Sequence, residues 1–108
     1  MNTKELLSQI PEGRENSISR EELCRRWNCS DRQRRINLEL LQQIDIGHRV
    51  IIRSGKGCGI YISTDNDEVA AYRQEILNKG RSILAGIRQC NRFLDDNMKL
   101  QIEFSEVI

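Results

Sequence analysis

Ile18-Ser19-Arg20-Glu21-Glu22-Leu23-Cys24-Arg25-Arg26-Trp27-Asn28-Cys29-Ser30-Asp31-Arg32-Gln33-Arg34-Arg35 decides how this chain folds, because it holds two helix starts with a helix end between them. Ser19 and Glu22 have the form of a capping box, in which a serine oxygen accepts from an orphan amide and the glutamate reaches back toward the cap. A short helix is therefore predicted from Arg20. Leu23, Cys24 and Trp27 fall on one side of it at helical spacing, which makes that side a core face with the indole as its largest member. Asn28 and Cys29 then read as a tight turn, since asparagine accepts the left-handed conformation that helix ends favour. Ser30 and Gln33 form a second box. Serine caps eleven residues apart, with a small apolar-faced helix between them, predict two crossed helices joined by a short turn.

The second helix is predicted over Asp31 to Ile44. At about 100° per residue, Ile36, Leu40, Leu41 and Ile44 group into one arc, taken as buried, while Asp31, Arg32, Arg35 and Glu39 lie broadly opposite. Arg34 and Leu38 fall at the border, and Leu38 fits the buried arc poorly, so the pattern leaves the rotation open. The first turns carry Arg32, Gln33, Arg34 and Arg35 directly after the Ser30 cap and Asp31. Arginine can take a guanine edge through two hydrogen bonds and glutamine an adenine edge, and either can hold a phosphate instead. A merely solvated charged face is the plain alternative.

His48 to Arg53 and Ile60 to Ser63 are β-branched or aromatic runs on either side of Ser54-Gly55-Lys56-Gly57-Cys58-Gly59. Three glycines in five residues predict a hairpin loop. A nucleotide-binding loop fits poorly: the Walker pattern needs an earlier glycine and a Ser or Thr after the lysine, and must lead from a strand into a helix. Lys56 on the loop, with Arg53 and Arg49 on its strand, is instead placed to meet a phosphate or the minor groove. Helices followed at once by such a hairpin predict a winged helix-turn-helix.

The run Ile10-Pro11-Glu12-Gly13-Arg14-Glu15-Asn16-Ser17-Ile18-Ser19-Arg20, then Ser30-Asp31-Arg32-Gln33-Arg34-Arg35, then Gly57-Cys58-Gly59-Ile60-Tyr61-Ile62, resembles the small winged-helix proteins common in prophages of Gram-positive bacteria. That resemblance covers roughly residues 10 to 63. It implies a recognition helix at Ser30 to Ile44 and a wing at Arg53 to Ile60. Arg34 departs from the pattern, standing where such helices often carry an apolar residue.

The remaining chain is read around this centre. Thr3 to Ile10 forms a short first helix with Leu6, Leu7 and Ile10 inward, and Pro11 ends it. Pro11 to Ser17 reads as a polar connector. Ser63-Thr64-Asp65 closes the sheet and caps a long helix from Asn66, with negative charge suited to its first turn. Val69, Tyr72, Ile76, Ile83, Ile87, Cys90 and Leu94 make an apolar stripe too long for a small core, so a homodimer through residues 69–94 is expected, with packing onto the same chain as the alternative. Met98 to Ser105 alternates apolar and polar as a strand. It would join the wing sheet of its own chain or of a dimer mate, or order with another partner. The fold class is thus mainly α with a small β-hairpin, divided into a domain at residues 1–63 and an oligomerisation appendage at 64–108.

Charge supports the same centre. The whole chain carries a net +1, yet residues 18–62 hold nine Lys or Arg against five Asp or Glu, while both flanks are negative. Double-stranded DNA is the partner this implies, bound weakly by one copy and with strong salt dependence. No apolar run approaches the ~20 residues of a membrane span, and the N-terminus lacks a secretion-signal pattern, so a cytoplasmic protein is expected. Cys24, Cys29, Cys58 and Cys90 lack paired zinc-ligand spacing and read as buried, reduced thiols, with no metal and no cofactor. One histidine, without a nucleophile or paired-carboxylate motif, argues against an enzyme. Asp95-Asp96 reads as a solvated pair at a helix end. The candidate DNA-binding residues are Ser30, Asp31, Arg32, Gln33, Arg34, Arg35, Arg53 and Lys56, serving a transcriptional regulator or replication accessory. A winged-helix docking module for another protein, without DNA binding, is the second reading.

Overall fold

The computed structural model describes residues 1–53 and 59–94. Its elements are α1 (Thr3–Ser8), a 3-10 turn (Arg14–Asn16), α2 (Arg20–Trp27), α3 (Asp31–Gln43), β1 (Val50–Arg53), β2 (Ile60–Ser63) and α4 (Asn66–Phe93). The chain is mainly helical, with a two-stranded antiparallel hairpin and a long helix after it. It divides into two compact units, Met1–Val69 and a second beginning at Ala70. The loop at 54–58 and the terminal strand expected at Met98 to Ser105, with Asp95-Asp96 before it, lie outside the described residues.

Local caps set the helix starts. Ser19 Oγ accepts from the Glu22 amide at 3.0 Å, Ser30 Oγ from the Gln33 amide at 3.1 Å, and Asp65 Oδ1 from the Glu68 amide at 3.0 Å. The reciprocal half of the predicted boxes is replaced by other bonds. Glu22 turns its carboxylate to Arg25 and Arg26, and Gln33 donates to Asn37 Oδ1 at 2.9 Å. A charged or amide partner one turn ahead competes for the same side chain. At the other end, carbonyls at the close of α1 are met from α2: Trp27 Nε1 donates at 3.0 Å to the Leu6 carbonyl, which also accepts from the Gln9 amide at 3.2 Å, and Arg26 donates to the Gln9 carbonyl at 3.1 Å. The indole thus ties two helices together as well as filling the core between them.

The core of the first unit is Leu6, Ile10, Leu23, Trp27, Leu38, Leu41, Ile51, Ile60 and Ile62. Its rotation of α3 differs from the wheel reading. Leu38 and Leu41 are fully buried, whereas Ile36, Leu40 and Ile44, assigned to the buried arc with Leu41, are 46%, 43% and 39% exposed. The third inward position is Arg34, at 3% exposure. A pattern that scores arginine as outward shifts the whole arc by about 100°. Once Arg34 is counted inward, Arg34, Leu38 and Leu41 make the usual spacing of a buried face.

The hairpin pairs Val50 with Ser63, Ile51 with Ile62, Ile52 with Tyr61 and Arg53 with Ile60. Every residue of β2 is buried, on both faces of the sheet. Part of the reason lies in Pro11 to Ile18, which is more than a connector. Ile62 donates to the Pro11 carbonyl at 2.8 Å and receives from the Gly13 amide at 3.0 Å, while Ile18 and Ile60 exchange bonds of 3.1 and 2.8 Å. These short bridges occupy the β2 edge left open by β1. Gly59 is required by this closeness, since a Cβ there would lie 2.1 Å from the Ile18 carbonyl oxygen.

In the second unit, α4 buries only Leu84 among its residues, at 9% exposure. Ile76, Ile83, Phe93 and Leu94 are 48%, 65%, 90% and 44% exposed. No helix among the described residues is long and apolar enough to cross a membrane.

Candidate nucleic-acid interface

The N-terminal half of α3 carries most of the candidate residues, and its presentation follows from the turn before it. Asn28 ends α2 at φ 49° and ψ 54°, reversing the chain in two residues, and Ser30 at φ −72° and ψ 165° starts α3. The helix therefore begins at the surface. Ser30, Asp31, Arg32, Gln33 and Arg35 are all exposed. Arg32 makes no ion pair or side-chain hydrogen bond among the described residues, so it is available to an external acceptor.

Arg34 is placed differently from its candidate role. Its side chain is 4% exposed and lies inward, where one guanidinium nitrogen donates to Asp31 Oδ1 at 2.9 Å and Nε has no partner. A buried guanidinium cannot reach a groove edge, so Arg34 leaves the set of base-reading candidates. The physical reason is its register, three and four residues from Asp31 and Leu38 on the inward side of α3. Asp31 also contacts Arg35, at 3.6 Å. The Asp31 carboxyl is held below its ordinary range, first by the Arg34 hydrogen bond and then, against some desolvation, by the charges of Arg34, Arg35 and Arg20. Asp31 is thus an organiser of the cluster, ionised at neutral pH, and it offsets part of the positive field that a phosphate would meet.

Arg20 is a member that sequence reading passed over. It is the first residue of α2, exposed, and close enough to act on Asp31. The available signal was the cap: a residue just after Ser19 and another just after Ser30 are brought together when two capped helix starts flank one short helix.

On the sheet, Arg53 ends β1 half-buried, opposite Ile60. Lys56 lies outside the described residues. Arg49 is fixed at the base of the strand, its Nε donating to the Ile46 carbonyl at 2.9 Å and a terminal nitrogen 3.7 Å from Glu12 Oε1. A shallow depression of ≈ 150 Å³ lies near the hairpin base, lined by His48, Arg49, Ser63 and Asn66 among others. It is well under the roughly 300 Å³ at which pockets for drug-sized molecules begin. Among the described residues no group of three or more His, Cys, Asp or Glu could hold a metal ion. Comparison of the chain with known protein families, with curated proteins and with solved structures gave no match in any of the three.

Proposed function

We propose that this protein is a winged helix-turn-helix binder of duplex DNA, working as a homodimer in transcriptional regulation or as a replication accessory of the prophage type. The observation that carries the reading is the exposed group Arg32, Gln33 and Arg35 on the first turns of α3, held out by Leu38 and Leu41 on the opposite side. Recognition helices present base contacts from this end. Arg32 and Gln33 take base edges in the major groove, Arg35 and the Ser30 cap meet the flanking phosphates, and Arg53 with Lys56 holds the neighbouring backbone. Asp31 keeps Arg35 oriented. Arg34 supports α3 from inside and makes no contact with DNA.

The test is binding of a random-sequence duplex, followed by fluorescence anisotropy from low to moderate salt. Binding that weakens steeply with salt is expected, with a slope near −0.9 for each phosphate neutralised. Arg32→Glu and Arg35→Glu should each reduce affinity at least tenfold while leaving the circular dichroism spectrum unchanged. Equal affinity in both variants would remove the assigned face.

The docking reading is favoured by one specific observation: Ile36 and Leu40 are exposed apolar side chains one turn apart on α3, and Ile44 is exposed just past its end. Long aliphatic residues there suit a protein surface better than a charged groove. Absence of any salt-sensitive duplex binding would transfer α3 to that role.

A further inference from the structure

Cys24 and Cys29 occupy the two positions that the end of α2 brings side by side. The Asn28 amide donates to the Arg25 carbonyl at 3.2 Å, and the Cys29 amide reaches back to the Cys24 carbonyl at 3.0 Å. With Asn28 left-handed between them, these two bonds make a Schellman turn. In that turn the residue two beyond the helix end packs on the residue three positions inside it, usually through an apolar contact. Here both positions are cysteine. Each residue is half-buried, not buried as the sequence suggests, and Cys90 is exposed, so small reagents have access to the pair. The Cys29 thiol is pushed up first by burial and then by Cys24 beside it, with Arg34 opposing.

We propose that Cys24 and Cys29 form a dithiol modification site, closed to an intrachain disulfide by hydrogen peroxide, at the turn that leads into α3. The proposal is independent of whether α3 binds DNA. Either thiol can attack first, with the other as its partner. The first thiolate attacks one peroxide oxygen and breaks the O–O bond, giving a sulfenic acid and hydroxide, which takes up the proton that this thiol released. The partner thiol then attacks the sulfenic sulfur, its proton leaving with the displaced hydroxyl as water. Two thiols and one peroxide give one disulfide and two waters. The short Cα separation that a disulfide requires is already supplied by the backbone bond between the two residues. Closure fastens the last turn of α2 to the residue just before the Ser30 cap.

The experiment uses the full chain with Cys58→Ser and Cys90→Ser, so that only the pair remains. Trypsin cuts between the two cysteines at Arg25 and Arg26, leaving them on Glu21–Arg25 and Trp27–Arg32. After one equivalent of peroxide and alkylation, the expected product is these two peptides joined, lighter by two hydrogens than their sum. One equivalent of phenylarsine oxide, which bridges adjacent thiols, should remove both free thiols together. In Cys24→Ser, with folding checked by circular dichroism, the remaining Cys29 should resist the arsenical and stay unlinked. Peptides that alkylate separately after oxidation, a link between two chains, or stoppage at a lone sulfinic acid would each overturn the proposal, as would independent consumption of the two thiols by the arsenical.

Discussion

A buried guanidinium needs its charge and its five N–H donors satisfied, and Arg34 has one carboxylate oxygen to meet them, with Nε left over. Taking the ion out of water costs several kcal/mol, and a single partner that is itself largely exposed offsets only part of this. An apolar side chain of similar length should serve the core as well or better. Arg34→Met is therefore expected to leave stability unchanged or raise it by about 1–3 kcal/mol in urea unfolding. Asp31→Ala, which strands the charge instead, should lower it by about 1–3 kcal/mol. The opposite order would show that Arg34 is held by more than the core. Glu22 poses the converse case at the surface. The Arg25 hydrogen bond and then the Arg26 one lower its carboxyl from 4.5 to about 2. A folded value below the unfolded one contributes stability in full above about pH 4.5, and that contribution is lost as pH falls toward 2. Glu22→Gln should flatten the acid side of the melting-temperature profile between those limits. A variant that keeps the full acid dependence would place the titration elsewhere.

At the scale of elements, the rotation of α3 has the most direct check. Leu38→Ala empties a fully enclosed position and should cost about 2–5 kcal/mol. Leu40→Ala, at an exposed position, should stay within about 1 kcal/mol. Equal losses would mean that the helix is turned as the apolar wheel suggests. That wheel misleads for a physical reason: it ranks residues by polarity, while Arg34 is long enough to fill an inward position and still reach Asp31 with its charged end. What sequence made legible was local. Ser19, Ser30 and Asp65 cap through atoms within three residues, so their positions and the helix starts could be read directly. The Pro11 to Ile18 bridges could not, because they use backbone atoms and meet partners more than forty residues away. Gly59 and the isolated Ile18 were their only traces. In the candidate site the exposed Arg32, Gln33 and Arg35 were legible from the cap, whereas the inward Arg34 and the organising role of Asp31 depend on register.

For the whole molecule, the question is what the uncovered face of α4 does. Val69, Ile76, Ile83 and Cys90 recur every seven residues along this 28-residue helix, and Ile76 and Ile83 are among its most exposed apolar side chains. A seven-residue repeat of mostly β-branched residues suits a paired helix, although Lys79 and Gly86 at intervening positions restrict any coiled coil to a short or irregular one. Two copies of the chain would supply the second basic surface that a net charge of only +1 cannot provide alone. They would also give the two-fold symmetry that paired half-sites require. Each isoleucine withdrawn from water contributes about 1.5–3 kcal/mol, and a symmetric pair counts it twice. Ile83→Glu should then weaken self-association on the order of a hundredfold or more. Light scattering across a concentration series should show the unchanged chain rising to twice its 12.6 kDa mass while the variant remains at the single-chain value. If the proposed DNA role holds, the variant should keep its affinity for one half-site and lose the extra affinity for two. A chain that scatters as one copy at every concentration would leave the α4 stripe to a different partner.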